Sequence, residues 1–321
     1  MPVSRCLMPS TLRPQGRRSN GGRLSEVIVP VLLVSGLCQG AGAAGVATMP
    51  LAVHLRRAFS NQEVRRVRSL IQRVRSSGLA PQLAANRSFG YNAASHETLF
   101  LHVHLDEFAL WLRRKLLELV LLADQKAGWN VSRGHGNNLA ARCVELISYA
   151  ASSGAAPVEW HGDGGTLLTL VAMLSPPSGY EGGAIELRSD RSASERYASL
   201  EQGDVVVWRG WTLHRATSVT HGRRDVLAAE WWRGPDCAQS GEPRRADSAQ
   251  DLRHAISLEP TAPQLHRWLG GVLCQGPPCA GGYATEDAAE AAFRRAVSLA
   301  PHDGRNWAAL ESFLGAREEW Q

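Results

Sequence analysis

The segment from Val144 to Trp232 constrains the fold more than any other part of the chain. Short β-rich runs (Val144–Tyr149, Val158–His161, Thr166–Leu174, Ala184–Leu187, Asp204–Trp208 and Val226–Trp232) alternate with Gly, Pro and Ser. Each run is too short to bury itself alone, and the glycine-bearing gaps let the chain reverse between them. Many short strands with turn residues between them predict a sandwich or jelly roll.

Helices are expected on either side of this block. Ser60-Asn-Gln-Glu63 reads as a capping box, followed by Val64, Val67, Leu70, Ile71 and Val74 at helical spacing, with Gly78 as the stop. A second helix is expected from about Asp106 to Ala127, ended by Gly128. His102 and His104 alternate in Leu101-His-Val-His-Leu, which reads as a half-exposed strand. Residues 1–45 have the order of a targeting segment. Residues 1–25 carry five arginines and no acid, the apolar run Val27–Cys38 comes next, and a small-residue tract follows. The order fits a secretory signal addressing the endoplasmic reticulum lumen, with an organellar transit peptide as the alternative. The run falls short of the ~20 apolar residues that span a bilayer, so membrane contact is expected only there. Cys237, Cys274 and Cys279 admit one disulfide in an oxidising compartment.

Gly234–Asp247 reads as a linker within 234–247. Beyond it, in 248–321, Ala255-Ile-Ser-Leu-Glu-Pro260 returns as Ala296-Val-Ser-Leu-Ala-Pro301, each followed by a tryptophan, Trp268 and Trp307. Helix, proline turn and helix resemble tetratricopeptide repeats, at a spacing longer than the usual ~34 residues. The expected fold class is α+β. It comprises a double-stranded β-helix with N-terminal supporting helices over residues 46–233 and a small all-α repeat pair after it.

The chemistry is expected at His161 and Asp163. Positions i and i+2 of a strand face the same side, so an imidazole and a carboxylate can reach one metal. His214 is placed to add a third ligand from a distant strand, giving the facial triad favoured by non-haem Fe(II) oxygenases. After it comes Val219-Thr-His-Gly-Arg-Arg224-Asp-Val-Leu227. This turn resembles the prolyl 4-hydroxylase-like branch of the Fe(II)- and 2-oxoglutarate-dependent dioxygenases. Tyr180-Glu-Gly-Gly-Ala-Ile-Glu and Leu200-Glu-Gln-Gly-Asp-Val-Val-Val-Trp208 resemble elements of the same branch, in the same order.

That resemblance implies Fe(2+) held by His161, Asp163 and His214. It also implies 2-oxoglutarate bound through Arg224, whose planar fork suits a carboxylate. Arg223 competes for that role; the family's Gly-x-Arg spacing favours Arg224. Tyr149 looks like the tyrosine that hydrogen-bonds the same carboxylate, or else a core residue. O2 is the implied co-substrate and ascorbate the implied reductant. Ser218 stands where the family often has proline, and Trp208-Arg-Gly-Trp211 is bulkier than usual beside the distal histidine.

The expected substrate is a C–H bond on a protein or peptide, such as a prolyl side chain, and the repeats suggest a protein partner. The formal charge of +5 rests on arginines spread along the chain, which disfavours nucleic acid as a partner. Nucleic-acid-repairing relatives carry a second arginine where Glu230 stands. A zinc hydrolase would have no use for Arg224. The remaining alternative is a catalytically retired jelly roll with a protein-binding repeat module.

Overall fold

A computed structural model describes residues 49–76, 90–92, 96–133, 139–151, 157–189, 194–234, 249–274 and 283–318. The targeting segment, the Gly78 stop, the linker beyond Gly234, and Cys237 and Cys279 lie outside the described residues. Among the described residues, no helix is long and apolar enough to cross a membrane.

The chain opens with β1 (Ala52–Leu55) and α1 (Asn61–Ser76). The capping box forms: the Ser60 amide and hydroxyl donate to Glu63 Oε2, and the Glu63 amide donates to Ser60 Oγ. The five apolar positions read from its spacing are all buried. Next come β2 (Gly90–Asn92), β3 (Glu97–Phe100), a short α2 (Leu105–Phe108) and α3 (Leu110–Ala127). The expected second helix is therefore broken at Ala109, whose ψ of 44° is not helical. Gly128 ends α3 in the left-handed region, at φ 67°, and its amide caps the carbonyls of Asp124 and Gln125. The expected strand at His102 and His104 is instead a 3₁₀ turn with both imidazoles buried. The Val144 amide donates to His102 Nδ1, and burial pushes that imidazole down to about 4.

Then follow β4 (Ala140–Ala150), β5 (Leu168–Met173), β6 (Tyr180–Gly182), β7 (Ile185–Arg188), β8 (Ser194–Tyr197), β9 (Val205–Arg209), β10 (Leu213–Ala216) and β11 (Val219–Trp232). They pair antiparallel into a large sheet, β1-β9-β5-β11-β4-β3-β2, with β6 on β11, and a small sheet, β10-β7-β8. The expected strand Val158–His161 is reduced to a bridge between His161 and His214 and a bond from the Val158 amide to the Ala216 carbonyl. β11 is much longer than expected because it runs on through the Val219–Arg224 turn sequence. His221, expected in a solvated turn, is exposed but paired in this strand with Glu181.

The side chains of the large sheet divide by the two-residue period of a strand. Val144, Leu146, Leu168, Leu170, Val205, Val207, Leu227, Ala229 and Trp231 join one core with Val64, Val67 and Val74 of α1 and Leu112, Leu116 and Val120 of α3. Val171, Met173, Val206, Trp208, Val226 and Ala228 face the other way, in a second core that includes Ile185 and Leu187 of the small sheet. The mixed α and β content with two antiparallel sheets agrees with the expected α+β jelly roll.

Four helices close the chain: α4 (Ala249–Leu258), α5 (Pro263–Leu273), α6 (Tyr283–Leu299) and α7 (Gly304–Glu318). The two helix pairs belong to different cores. Leu252, Ala255, Ala262 and Leu265 of the first pair belong to the main core. Ala289, Phe293, Val297 and Leu310 of the second pair form a cluster of their own. The duplicated turn has matching geometry, since His266 Nε2 meets the Pro260 carbonyl and Trp307 Nε1 donates to the Pro301 carbonyl, each at 2.9 Å. The counterpart of Trp307 in the first copy is therefore His266, not Trp268.

Candidate metal centre

His161 and Asp163 sit on the loop between β4 and β5, and His214 sits on β10. The loops are stitched together by backbone bonds. His161 and His214 exchange amide–carbonyl bonds at 3.1 and 2.8 Å, and the Asp163 amide donates to the Gly210 carbonyl at 2.8 Å. Ligand atoms of the three residues lie within 4.8 Å of one another. His214 Nε2 is 3.6 Å and His161 Nε2 3.9 Å from Asp163 Oδ1.

The surrounding bonds leave one donor atom of each residue facing inward. His161 Nδ1 donates to the Glu159 carbonyl at 2.8 Å, and His214 Nδ1 donates to the Thr212 carbonyl at 3.0 Å. A carbonyl can only accept, so each Nδ1 carries the proton and each Nε2 keeps its lone pair. Thr169 Oγ1 donates to Asp163 Oδ2 at 2.6 Å, leaving Oδ1 as the free oxygen. Burial lowers the His214 pKa, with Asp163 opposing, so the ring is neutral over a wider pH range. Two imidazole nitrogens and one carboxylate oxygen converging from one side fit a divalent transition metal of the iron type.

The triad opens into a cavity of about 280 Å³ between the sheets. At one end lies Arg224 of β11, 2% exposed, with its Nε lacking any hydrogen-bond partner. Its guanidinium carbon stands 5.2 Å from the Tyr149 ring, and its Nη2 is 3.7 Å from the Met173 sulfur. Among the described residues no carboxylate pairs with it. A buried guanidinium without a counter-ion is costly, and its planar fork, facing the cavity, suits a carboxylate. Burial raises the Tyr149 pKa, with Arg224 opposing, so the phenol stays protonated and able to donate. Arg223 points away: it is exposed and pairs with Asp225 at 2.8 Å. Gly183, in the Gly-Gly pair before β7, is at φ 65°, and a Cβ there would stand 2.7 Å from Arg224 Cδ. The glycine is required by the approach of this arginine.

Sequence reasoning did not place three further residues in the cavity. Glu145 of β4 lines it, with its carboxyl pushed up to about 8 by burial and by Glu230. Glu230 is held by an ion pair to Arg142 and by the Thr166 hydroxyl at 2.7 Å. His96 lies near Tyr149, with ring centroids 5.4 Å apart. Strand period offered a signal for Glu230, which is three alternations beyond Arg224 on the same face. His96 precedes β3 and had none.

Comparison with known proteins adds the following. No family model matches the chain. A PKHD-type hydroxylase of Parvibaculum lavamentivorans is 41% identical over 90 residues, covering 27% of this chain and 39% of the relative. A second, from Colwellia psychrerythraea, is 39% identical over 66 residues, covering 21% of this chain and 28% of the relative. The chain thus spans under two-fifths of the length of these curated relatives. Among solved structures, a 2OG-Fe(II) oxygenase family protein from Burkholderia pseudomallei aligns with TM-score 0.42 and 14% identity, over 60% of this chain and 88% of that one. A Pseudomonas putida prolyl-4-hydroxylase aligns with TM-score 0.40 and 12% identity, over 58% and 94%. The similarity in sequence is thus to hydroxylases, and the chain carries a His-Asp-His group whose donor atoms could hold a metal ion.

Proposed function

We propose that the chain is an Fe(II)- and 2-oxoglutarate-dependent dioxygenase that hydroxylates a C–H bond on a protein side chain such as proline. O2 is consumed, succinate and CO2 are released, and ascorbate serves as reductant. The observation that carries the proposal is the buried Arg224 guanidinium, with no carboxylate partner among the described residues, sharing one cavity with a converging His-Asp-His group. A structural metal site or a zinc hydrolase has no need of that cation.

In this reading His161 Nε2, His214 Nε2 and Asp163 Oδ1 hold the ion, which when bound supplies the oxygen-activating chemistry. Thr212 and Glu159 carbonyls hold the imidazoles in the ligating tautomer, and Thr169 orients the carboxylate. Arg224 grips the distal carboxylate of 2-oxoglutarate, with Tyr149 donating to it. The apolar walls Val171, Ile185, Val226 and Ala228 keep water from the reacting carbon. The substrate is a protein or peptide. The α6–α7 helices, as tetratricopeptide-like elements, offer a partner surface, and the N-terminal segment directs the protein to the secretory pathway.

The test is succinate release from 2-oxoglutarate, with and without Fe(II). Wild-type protein turns over only with iron, and His161→Ala falls to background. Arg224→Ala keeps the metal but binds 2-oxoglutarate about 10- to 100-fold more weakly, the range for losing a charged hydrogen bond. Peptides that gain one oxygen atom, found by mass spectrometry, would name the substrate. Equal turnover in wild type and His161→Ala would reject the enzyme; unchanged affinity in Arg224→Ala would reject its role.

A further inference from the structure

We infer that helix α5 is a working part of the metal centre, and that Trp268 is a positioning residue holding the His161-Gly-Asp163 turn in ligating geometry. The inference rests on the metal reading of that site. It concerns which part of the chain keeps the ligands in place.

The Trp268 indole lies against the turn itself. A Cβ built on Gly162, the residue between the two ligands, would meet Trp268 Cη2 at 2.7 Å and Cζ2 at 3.3 Å. One built on Gly164 would meet the same indole at 3.6 Å. At Gly162 no side chain fits between ring and turn without displacing one of them, whereas a Cβ at Gly164 would rest against the ring in ordinary van der Waals contact. On its other side the Gly162 position is closed by the Gly210 carbonyl at 3.4 Å.

The same helix also reaches the loop that precedes the distal histidine. Gln264 Nε2 donates to the Trp211 carbonyl at 3.1 Å, and Trp211 Nε1 donates to Glu259, just beyond α4, at 2.7 Å. Glu259 also pairs with Arg209 at 3.0 Å. Further back, Asp251 of α4 takes the Arg233 guanidinium, and His254 meets the Val131 carbonyl. Each contact fastens the helix pair to the jelly roll, and those nearest its end bracket both ligand loops.

The duplicated pattern does not account for Trp268. His266 takes the place equivalent to Trp307, so the pattern places no tryptophan two residues later. Trp307 itself is 45% exposed. An indole that the repeat does not call for, seated on the glycine between two ligands, points to the ligands as its purpose. Ligands in a turn need outside support to hold their geometry within a fraction of an ångström.

The experiment is a Co(II) titration of the full chain, followed by the visible absorption of the bound ion. Wild type should bind one ion saturably, and His161→Ala should not. Trp268→Ala should bind about tenfold more weakly, as expected for loss of a supporting contact, with an altered Co(II) spectrum. Trp268→Phe should recover part of both. Gly162→Ala should weaken binding in the presence of Trp268, and the Trp268→Ala/Gly162→Ala double variant should be less impaired than the two single losses multiplied, because the methyl then has room. Wild-type affinity and spectrum in Trp268→Ala would overturn the inference even if its melting temperature falls. Should Trp268→Ala fail to fold, unchanged binding in both Trp268→Phe and Gly162→Ala would do the same. Absence of saturable binding in wild type would instead remove the metal reading, and this inference with it.

Discussion

The two faces of β11 differ more than any two segments of the chain. Leu227, Ala229 and Trp231 point outward into the core shared with α1 and α3, and over that stretch the outer face is apolar, its charged pair Arg223 and Asp225 lying nearer the start of the strand. Arg224, Val226, Ala228 and Glu230 point inward to the cavity. There a buried cation has no counter-ion among the described residues, while the carboxylate three alternations on has Arg142 and Thr166. One backbone thus serves two ends. The outer face lowers the free energy by removing apolar surface from water. The inner face leaves Arg224 Nε without a hydrogen-bond partner, at a cost the outer face must offset.

The outer face should break first. Leu227 is fully buried, and truncating such a residue leaves a cavity that a packed sheet cannot close. Leu227→Ala should lose about 2–5 kcal/mol in urea unfolding. The folded fraction should still bind Co(II), because no ligand is touched. A loss under about 0.5 kcal/mol, the range for surface substitutions, would mean the outer face is not the stabilising one.

The inner face should reveal itself through pH. The Glu145 carboxyl ionises near 4.5 when exposed and near 8 in the fold, since burial and Glu230 both disfavour its charge. The folded state therefore holds a proton that the unfolded chain has released between those values. The stability from this group is fully present below 4.5 and is lost as pH rises through 8. In metal-free protein, Glu145→Gln should flatten the fall of melting temperature across pH 5–8.5. The variant should melt higher than wild type at the alkaline end. Parallel curves for the two proteins would show that the cavity does not isolate this carboxyl from water.

What could be read from the sequence follows from the range of the forces involved. Capping, helical period and strand alternation are local, so Ser60, α1 and the strand block were legible. The grouping of His161, Asp163, His214 and Arg224 was legible through spacing and family resemblance. The turn at His102 was not, because it answers to Val144 of β4, remote in sequence, and the Ala109 break has no local pattern that marks it. Nor was the split of the last four helices between two cores. Ile256 and Val297 sit in near-identical words, and only the neighbour each meets decides which core it joins. The contact of Trp268 with Gly162 spans a hundred residues and leaves no local pattern at either end.

The smallest effect should come from Arg223, the neighbour of Arg224 and its sharpest contrast. The strand period turns the two guanidinium groups to opposite faces. Arg223 is exposed, pairs with Asp225 and donates to Ser148 Oγ at 2.8 Å. Exposed ion pairs trade side-chain entropy against weak Coulomb attraction in water and contribute about 0–1 kcal/mol. Arg223→Ala should therefore change unfolding free energy by less than about 1 kcal/mol and leave 2-oxoglutarate affinity alone. If this variant lost the co-substrate while Arg224→Ala kept it, the face assignment along β11 would be reversed. The cavity's buried cation would then have some purpose other than gripping a carboxylate.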